Sequence, residues 1–509
     1  MDSIKDNNNR IVKNTIFLYI RMFFILVISL YTSRIILNTL GVQDYGIYNI
    51  VGGIVVLFSF LNNSLASATQ RFLNYEMGHK DAKKVKNVFI TCLQVHIIIA
   101  LFIILLCESI GLWFLNTQLN IPVERMNAAL LAFHFSIITF GINIIRIPFN
   151  ASIIASEKMN FYAYISIIDA ISKLLVVMLL EYISHDKLIL YAVLQTFVSI
   201  FVTLIYVLYC TNRFDFISFS FKFDKIQMKS ILSFSAWSCY GTLSNIASNQ
   251  GLNIILNVFF GVAVNAAMGI AHQVSGAVYG FVSNFQTAFG PQLVKLYSGG
   301  NINEMCNLIY RASKISFFLL LLITLPLLFN AEDVLYIWLN QVPEYAVVFC
   351  QIILVDQFFF ALSGPLWVSA QASGKIAKYM ISVGNFNISV LIISYLLLEL
   401  GCPAVSVIIC KTFIDFIVLG YRILYLKIHI DLNIKDYFYN VILPIVKVVP
   451  ISLLIPYLLN YAVQYSLLNF LIKIIVTVLI TSFVIYSIGL TKNERTYILN
   501  NINKRLHAN

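Results

Sequence analysis

Residues Pro148 to Tyr162 read PFNASIIASEKMNFY, and residues Pro365 to Tyr379 read PLWVSAQASGKIAKY. Pro148, Ala155-Ser156, Lys158 and Tyr162 recur as Pro365, Ala372-Ser373, Lys375 and Tyr379, all displaced by 217 residues. The same displacement carries Ser152 onto Ser369 and Ile171-Ser172 onto Ile388-Ser389, and Ile36-Leu37-Asn38 reappears slightly out of register as Ile255-Leu256-Asn257. One short match is chance; a shared register is a duplicated unit. Internal repeats in polytopic membrane proteins mean two bundles that rock about a central path, which favours a transporter over an enzyme.

Composition sets the solvent. Hydrophobic residues make up 60% of the chain and charged ones 11%, with a mean hydropathy of +0.84, against roughly a quarter charged in soluble domains. The medium is lipid. A net charge of +11 dispersed over many short loops is the footprint of membrane orientation and excludes a nucleic-acid groove. Eight cysteines, none in a C-x-x-C pair and most within apolar runs, indicate neither a disulfide framework nor a zinc site.

A helix needs about 20 apolar residues to cross the hydrocarbon core, and the sequence predicts fourteen such spans in an all-α membrane protein. Six lie in the first half: Asn14 to Leu37, Ile47 to Leu73, Val88 to Phe114, Met126 to Ile154, Phe161 to Ile183 and Leu188 to Tyr209. Six more follow, Ile231 to Phe259, Ala263 to Leu293, Ile309 to Phe329, Ala346 to Ala370, Tyr379 to Leu400 and Ala404 to Leu426, then an added pair, Val441 to Ala462 and Leu467 to Leu490. The expected organisation is a six-helix lobe over 1–212, a linker over 213–230, a second six-helix lobe over 231–427, the helix pair over 428–490 and a tail over 491–509. Basic residues alternate with these spans. Lys13, Lys80, Lys83, Lys84, Lys86, Lys158, Arg213, Lys229, Lys295, Arg311, Lys314, Lys375, Lys378, Arg422, Lys427, Lys435 and the tail fall on one side, with Arg125 and Lys187 in loops opposite. That asymmetry places both termini in the cytoplasm. The first apolar run lacks a small-residue cleavage site after it, so it is expected to stay as an anchor.

Ionisable groups inside spans cost about 2.5 to 3.5 kcal/mol each on insertion scales and face a bundle interior or wet cavity. Here they are mainly basic: Arg21, Arg34, Arg71, Arg146, Lys173, Lys411, Lys447 and Lys473, against Glu108, Asp169, Asp356, Glu399 and Asp415. Asp169 with Lys173, and Lys411 with Asp415, are four apart on one helix face. Each pair reads either as a self-contained ion pair or as a substrate or ion site, and Asp169, Asp356 and Asp415 are the candidates for proton or sodium binding, since a carboxylate in a low-dielectric cavity becomes switchable. Arg34 and Arg71 stand near span ends, where long side chains snorkel; Arg21, Arg146 and Lys173 are the sharper cavity candidates. A cationic cavity wants an anion, and the arginine fork matches phosphate oxygens. Asn38, Asn249, Asn253, Asn257, His272 and Gln273 gather in spans one, seven and eight, as hydrogen-bond partners for sugar hydroxyls or as helix-packing contacts.

The run Ser33 to Tyr48 (SRIILNTLGVQDYGIY), followed by Ser67 to Phe72 (SATQRF), resembles the amino-terminal region of bacterial polysaccharide-biosynthesis flippases of the multidrug, oligosaccharidyl-lipid and polysaccharide exporter superfamily. The resemblance extends over essentially the whole chain. It implies two pseudo-symmetric lobes around a cationic cavity, open alternately to each face, moving an undecaprenyl-pyrophosphate-linked oligosaccharide between leaflets of the bacterial inner membrane. It implies Arg21, Arg34, Arg71 and Arg146 as pyrophosphate contacts, and Lys447 or Lys473 as phosphate contacts beside a groove for the lipid tail. It further implies no cofactor, a monomer, and surface-polysaccharide polymerase and chain-length proteins as partners besides membrane lipid. The rival within the superfamily is a drug or cation antiporter, which would want carboxylates in its first lobe. A polymerase would carry a large outer loop, a glycosyltransferase a D-x-D ligand set, and an ATPase the G-x-x-x-x-G-K-[ST] loop; none occurs in the sequence. A scaffold for the assembly machinery would have no use for charges inside its spans.

Overall fold

The computed structural model describes residues 13–29, 31–32, 35–36, 39–41, 44, 47–48, 58–118, 121–183, 186–220, 223–339, 342–462, 467–492 and 494–496. Among them every regular element is helical. In chain order these are α1 (13–29), α2 (Ser59–Gly78), α3 (Ala82–Leu106), α4 (Leu112–Gln118), α5 (Met126–Ala155), α6 (Met159–Leu180), α7 (Lys187–Arg213), α8 (Lys225–Phe260) and α9 (Val262–Ser298). They continue with α10 (Ile302–Phe329), α11 (Ala331–Leu339), α12 (Ala346–Ala372), α13 (Ile376–Glu399), α14 (Val405–Ile430), α15 (Ile434–Tyr437), α16 (Leu443–Ala462) and α17 (Leu467–Val484).

Nine helical stretches among the described residues are long and apolar enough to cross a membrane. The other expected spans differ for physical reasons. α14 is a continuous helix but carries Lys411, Asp415, Arg422 and Lys427, and α8 and α9 are continuous helices diluted by asparagine, glutamine, serine and glycine. Spans one and two lie partly outside the described residues. The apolar side chains face outward as lipid demands: along α7, Phe197, Phe201, Leu204 and Leu208 are exposed while Thr196, Ser199 and Tyr206 are buried, the reverse of a soluble helix.

The chain divides into two compact units, residues 1–243 with 294–300, and residues 244–293 with 301–509. In unit 1, α5 packs against α2, α3 and α7, and α6 against α7, around a core that includes Leu65, Ala132, Phe133, Ile137 and Ile144. In unit 2, α12 lies against α10 and α14, α13 against α14, and α10 against α16 and α17.

The repeated segment has one local geometry in both copies. Ser152 Oγ donates to the Pro148 carbonyl at 2.8 Å and Ser369 Oγ to the Pro365 carbonyl at 2.7 Å, the same back-bond to the residue one turn earlier in both copies. The turns that follow also match. Lys158 (φ −87°, ψ 57°) and Lys375 (φ −89°, ψ 59°) cap α6 and α13 after a left-handed residue, Glu157 in the first copy and Gly374 in the second. Gly41 and Gly261, and Lys80 and Gly300, form two further left-handed pairs.

Long-range ion pairs close both units. In unit 1, Arg125, expected as a loop charge, bonds Asp44 at 2.9 and 2.5 Å and Asp186 at 2.5 and 3.1 Å. Asp186 also caps α7 through the Leu188 and Ile189 amides. Burial alone would raise the Asp186 carboxyl; the bonds from Arg125 and those two amides outweigh it and leave it below the ordinary aspartate value. In unit 2, Thr491 and Glu494 form a capping box, Glu494 accepting from the Thr491 amide at 2.8 Å. The same carboxylate meets Lys314 Nζ at 2.8 Å, and Lys314, on α10, is 2% exposed. Glu494→Ala therefore strands a buried ammonium and should destabilise the protein by about 3–5 kcal/mol. Melting in detergent should show this loss, with most of it recovered in Lys314→Met/Glu494→Leu, where the charge is removed together with its partner.

Candidate cation-lined cavity

A cavity of about 500 Å³ lies within unit 1, bounded by α1, α5, α6 and α7. Arg21 enters from α1, Arg146 and Asn150 from α5, Tyr162, Ser166, Asp169 and Lys173 from α6, and Tyr206 from α7. The placement follows from helical spacing. Arg146 and Asn150 are one turn apart on α5, and Tyr162, Ser166, Asp169 and Lys173 follow each other at three- and four-residue steps on α6, so each helix presents one polar stripe. Three cations face the space with one carboxylate.

Aromatic rings hold the guanidiniums. Arg21 Cζ lies 4.5 Å from the centre of the Tyr162 ring and Arg146 Cζ lies 5.7 Å from that of Tyr206, an attraction worth about 0.5 to 2 kcal/mol per pair depending on desolvation. Neither tyrosine ring carries a charge, so these two contacts leave the arginines cationic. Lys173 Nζ bonds Asp169 Oδ2 at 2.8 Å, with Lys173 46% and Asp169 23% exposed. Asp169 Oδ1 and Asn150 Oδ1 are buried with no hydrogen-bond partner among the described residues. Buried acceptors in that state want donors. The hydroxyls of Ser29, Thr32 and Ser166 bond carbonyls of their own helices.

Of the residues singled out from the sequence, Arg21, Arg146, Asp169 and Lys173 thus share one cavity. Arg71 lies elsewhere in unit 1, against the rings of Phe72, Tyr75 and Phe234 at 4.7, 4.7 and 5.6 Å. Arg34 and Asn38 lie outside the described residues. Asn253 and Asn257, with Gln250, line a crevice of about 350 Å³ along α8 in unit 2; Asn249, on the same helix, bonds Asn245, and Asn253 Oδ1 is buried without a hydrogen-bond partner among the described residues. His272 is half-buried and Gln273 exposed. Lys447 is exposed on α16, and Lys473 is buried on α17, where its charge acts on Asp333. Glu108, counted among the intramembrane acids, meets His134 Nδ1 at 2.9 Å beside the π-turn Cys107–Gly111.

A second constellation sits inside unit 2. Lys411 Nζ bonds Asp356 Oδ2 at 2.6 Å and Asp415 Oδ2 at 2.8 Å, so the spacing that joined Lys411 to Asp415 found two members of three. Two carboxylates share one ammonium, all at most 9% exposed. The Phe360 ring lies 5.2 Å from Lys411 Nζ, and Asp356 Oδ1 is buried without a hydrogen-bond partner among the described residues. His272 Nε2 is likewise buried without a hydrogen-bond partner among the described residues. Asp356 is already a candidate carboxylate from its place inside a span, but it stands 55 residues from Lys411 and nothing local signals that the two pair. The tyrosine platforms and the Arg125 clamp were missed for the same reason.

No protein-family model matches the sequence, and no curated protein matches it. Solved structures do match in fold. A MATE crystal structure in the straight conformation superposes with a TM-score of 0.74 at 15% identity, covering 84% of this chain and 96% of that chain. An outward-facing multidrug-resistance MATE family transporter of the MOP superfamily gives 0.71 at 15% identity over 82% and 96%. A MOP superfamily transporter from Pyrococcus furiosus, described as having a binding pocket of reversed polarity that suggests a different function, gives 0.72 at 14% over 82% and 96%. The fold of this chain is the all-helical MATE fold.

The triad makes a structural demand that can be measured. Lys411→Met leaves two carboxylates facing each other in an apolar interior, and should lower stability by about 3–5 kcal/mol. Asp356→Leu/Lys411→Met/Asp415→Leu should regain most of it in the same detergent melting assay, whereas a single variant as stable as wild type would show that the three charges do not interact.

Proposed function

We propose that this chain is a membrane transporter that carries an anionic, sugar-bearing lipid of the undecaprenyl-pyrophosphate oligosaccharide class from the cytoplasmic to the periplasmic leaflet of the bacterial inner membrane, with both termini in the cytoplasm. The observation that carries the reading is the polarity of the unit 1 cavity, where the described lining brings Arg21, Arg146 and Lys173 together with Asp169. Charges within apolar helices are costly and are kept where they serve a path. Guanidiniums offer paired donors to phosphate oxygens, and the acceptors Asn150 Oδ1 and Asp169 Oδ1 suit the hydroxyls of an attached sugar. The cavity's size lies within the range of small-ligand sites, about 300 to 1,000 Å³.

The multidrug or cation antiporter reading fits the fold neighbours equally, one of which is a multidrug-resistance transporter. Cavity charge separates the two. A cationic drug would meet three like charges, and the reversed pocket polarity described for the Pyrococcus furiosus protein offers a precedent within this fold for a pocket of the opposite sign. Energy coupling is assigned to unit 2. The Asp356–Lys411–Asp415 triad holds one carboxylate in excess of its ammonium, and a proton, or a sodium ion, binding there would neutralise it. Polysaccharide polymerase and chain-length proteins would take the delivered unit; the carrier itself would work as a monomer.

Proteoliposome flipping of a labelled undecaprenyl-pyrophosphate oligosaccharide tests the assignment. Arg21→Ala and Arg146→Ala should each cut the initial rate about tenfold or more, from the loss of charge-assisted hydrogen bonds, at unchanged folding. Undiminished flipping in both would remove the cavity from the path, and efflux of a cationic dye without flipping would establish the antiporter.

A further inference from the structure

Glu157 occupies a backbone position that suits glycine. Its φ is +58°, and the equivalent residue of the second copy is Gly374 at φ +75°. Glycine adopts this conformation freely, whereas an L-residue is strained in it. What Glu157 brings in exchange for that strain is a carboxylate, its side chain 1% exposed, bonded to Lys295 Nζ at 2.8 Å. Lys295 is in the last turn of α9. The same turn is approached by α2: a Cβ at Gly78 would stand 2.7 Å from the Lys295 carbonyl oxygen and 3.0 Å from its Cα. The end of α9 is therefore clasped by the α5–α6 turn and by the end of α2.

One helical turn earlier, α9 contains Gly290-Pro291. Proline cannot donate to the carbonyl four residues back, and its ring kinks the helix. Nothing lies within 4 Å of a Cβ placed on Gly290, so the helix has room to bend there. Residues 294–300 belong to unit 1, and the preceding residues 244–293 to unit 2; the weak point of α9 stands beside that boundary. Lys295 is 27% exposed, so water can take over its charge, unlike the enclosed Lys411.

We propose that the Glu157–Lys295 pair is a releasable latch that holds the end of α9 on unit 1, with Gly290-Pro291 as its joint. A helix free to bend at one point and clasped beyond it by a contact that can open is a two-state element. Its second state has the pair open and residues 294–300 released. This device is separate from the identity of the cargo.

Hydrogen–deuterium exchange on the purified full-length protein in detergent tests it without substrate. Glu157→Gly keeps the backbone conformation, as Gly374 does, and removes only the carboxylate. Peptides covering 294–300 should then exchange about tenfold faster or more, with the rest of unit 1 unchanged and the melting temperature no lower. Lys295→Ala should reproduce the local effect. Adding Pro291→Ala to Glu157→Gly should slow exchange at 294–300 again, because the end of the helix then opens only with the turns before it. Unchanged exchange at 294–300 in Glu157→Gly, or faster exchange spread through unit 1 with a lower melting temperature, would overturn the latch.

Discussion

A charge removed from water has to meet a counter-charge, an aromatic face or a water-filled cavity, and each unit is organised by how its charges satisfy that demand. Where the charges are structural, they are matched: Arg125 with Asp44 and Asp186, Lys314 with Glu494, Glu157 with Lys295. These pairs join segments far apart in the chain, and so turn an apolar helical hairpin set into a unit of defined register. Two sites among the described residues hold unequal numbers of opposite charges. In the α1–α5–α6–α7 cavity cations outnumber carboxylates, and in the α12–α14 triad carboxylates outnumber the ammonium. The two imbalances are of opposite sign.

The helices were legible because lipid imposes length and apolarity on them, and the duplicated segment was legible because it repeats side chains whose local roles are the same twice: Ser152 and Ser369 on the proline carbonyls, Lys158 and Lys375 at the following turn. Position along a span located Arg21, Arg146, Asp169 and Lys173 in one cavity, since polar side chains at three- and four-residue steps must share a face. Spacing could not supply partners across the chain. Asp356 joined Lys411 and Asp415, Tyr162 and Tyr206 took up the arginines, and Arg71 went to aromatic rings, all through tertiary packing that leaves no local pattern. The span expected over Ala404 to Leu426 is likewise a full helix, Val405–Ile430, despite its four charges.

The neighbouring MATE structures fix the fold at 14–15% identity, and a fold does not by itself fix what is bound. On the reading proposed above, the sign of the charge between α1, α5 and α6 selects the ligand. The measurement that addresses this most directly is equilibrium binding to the purified protein of two amphiphiles with matched tails, one ending in pyrophosphate and one in a quaternary ammonium. The account predicts that wild type binds the pyrophosphate at least about tenfold more tightly and that Arg21→Gln/Arg146→Gln loses the preference. Tighter binding of the ammonium by wild type would contradict it.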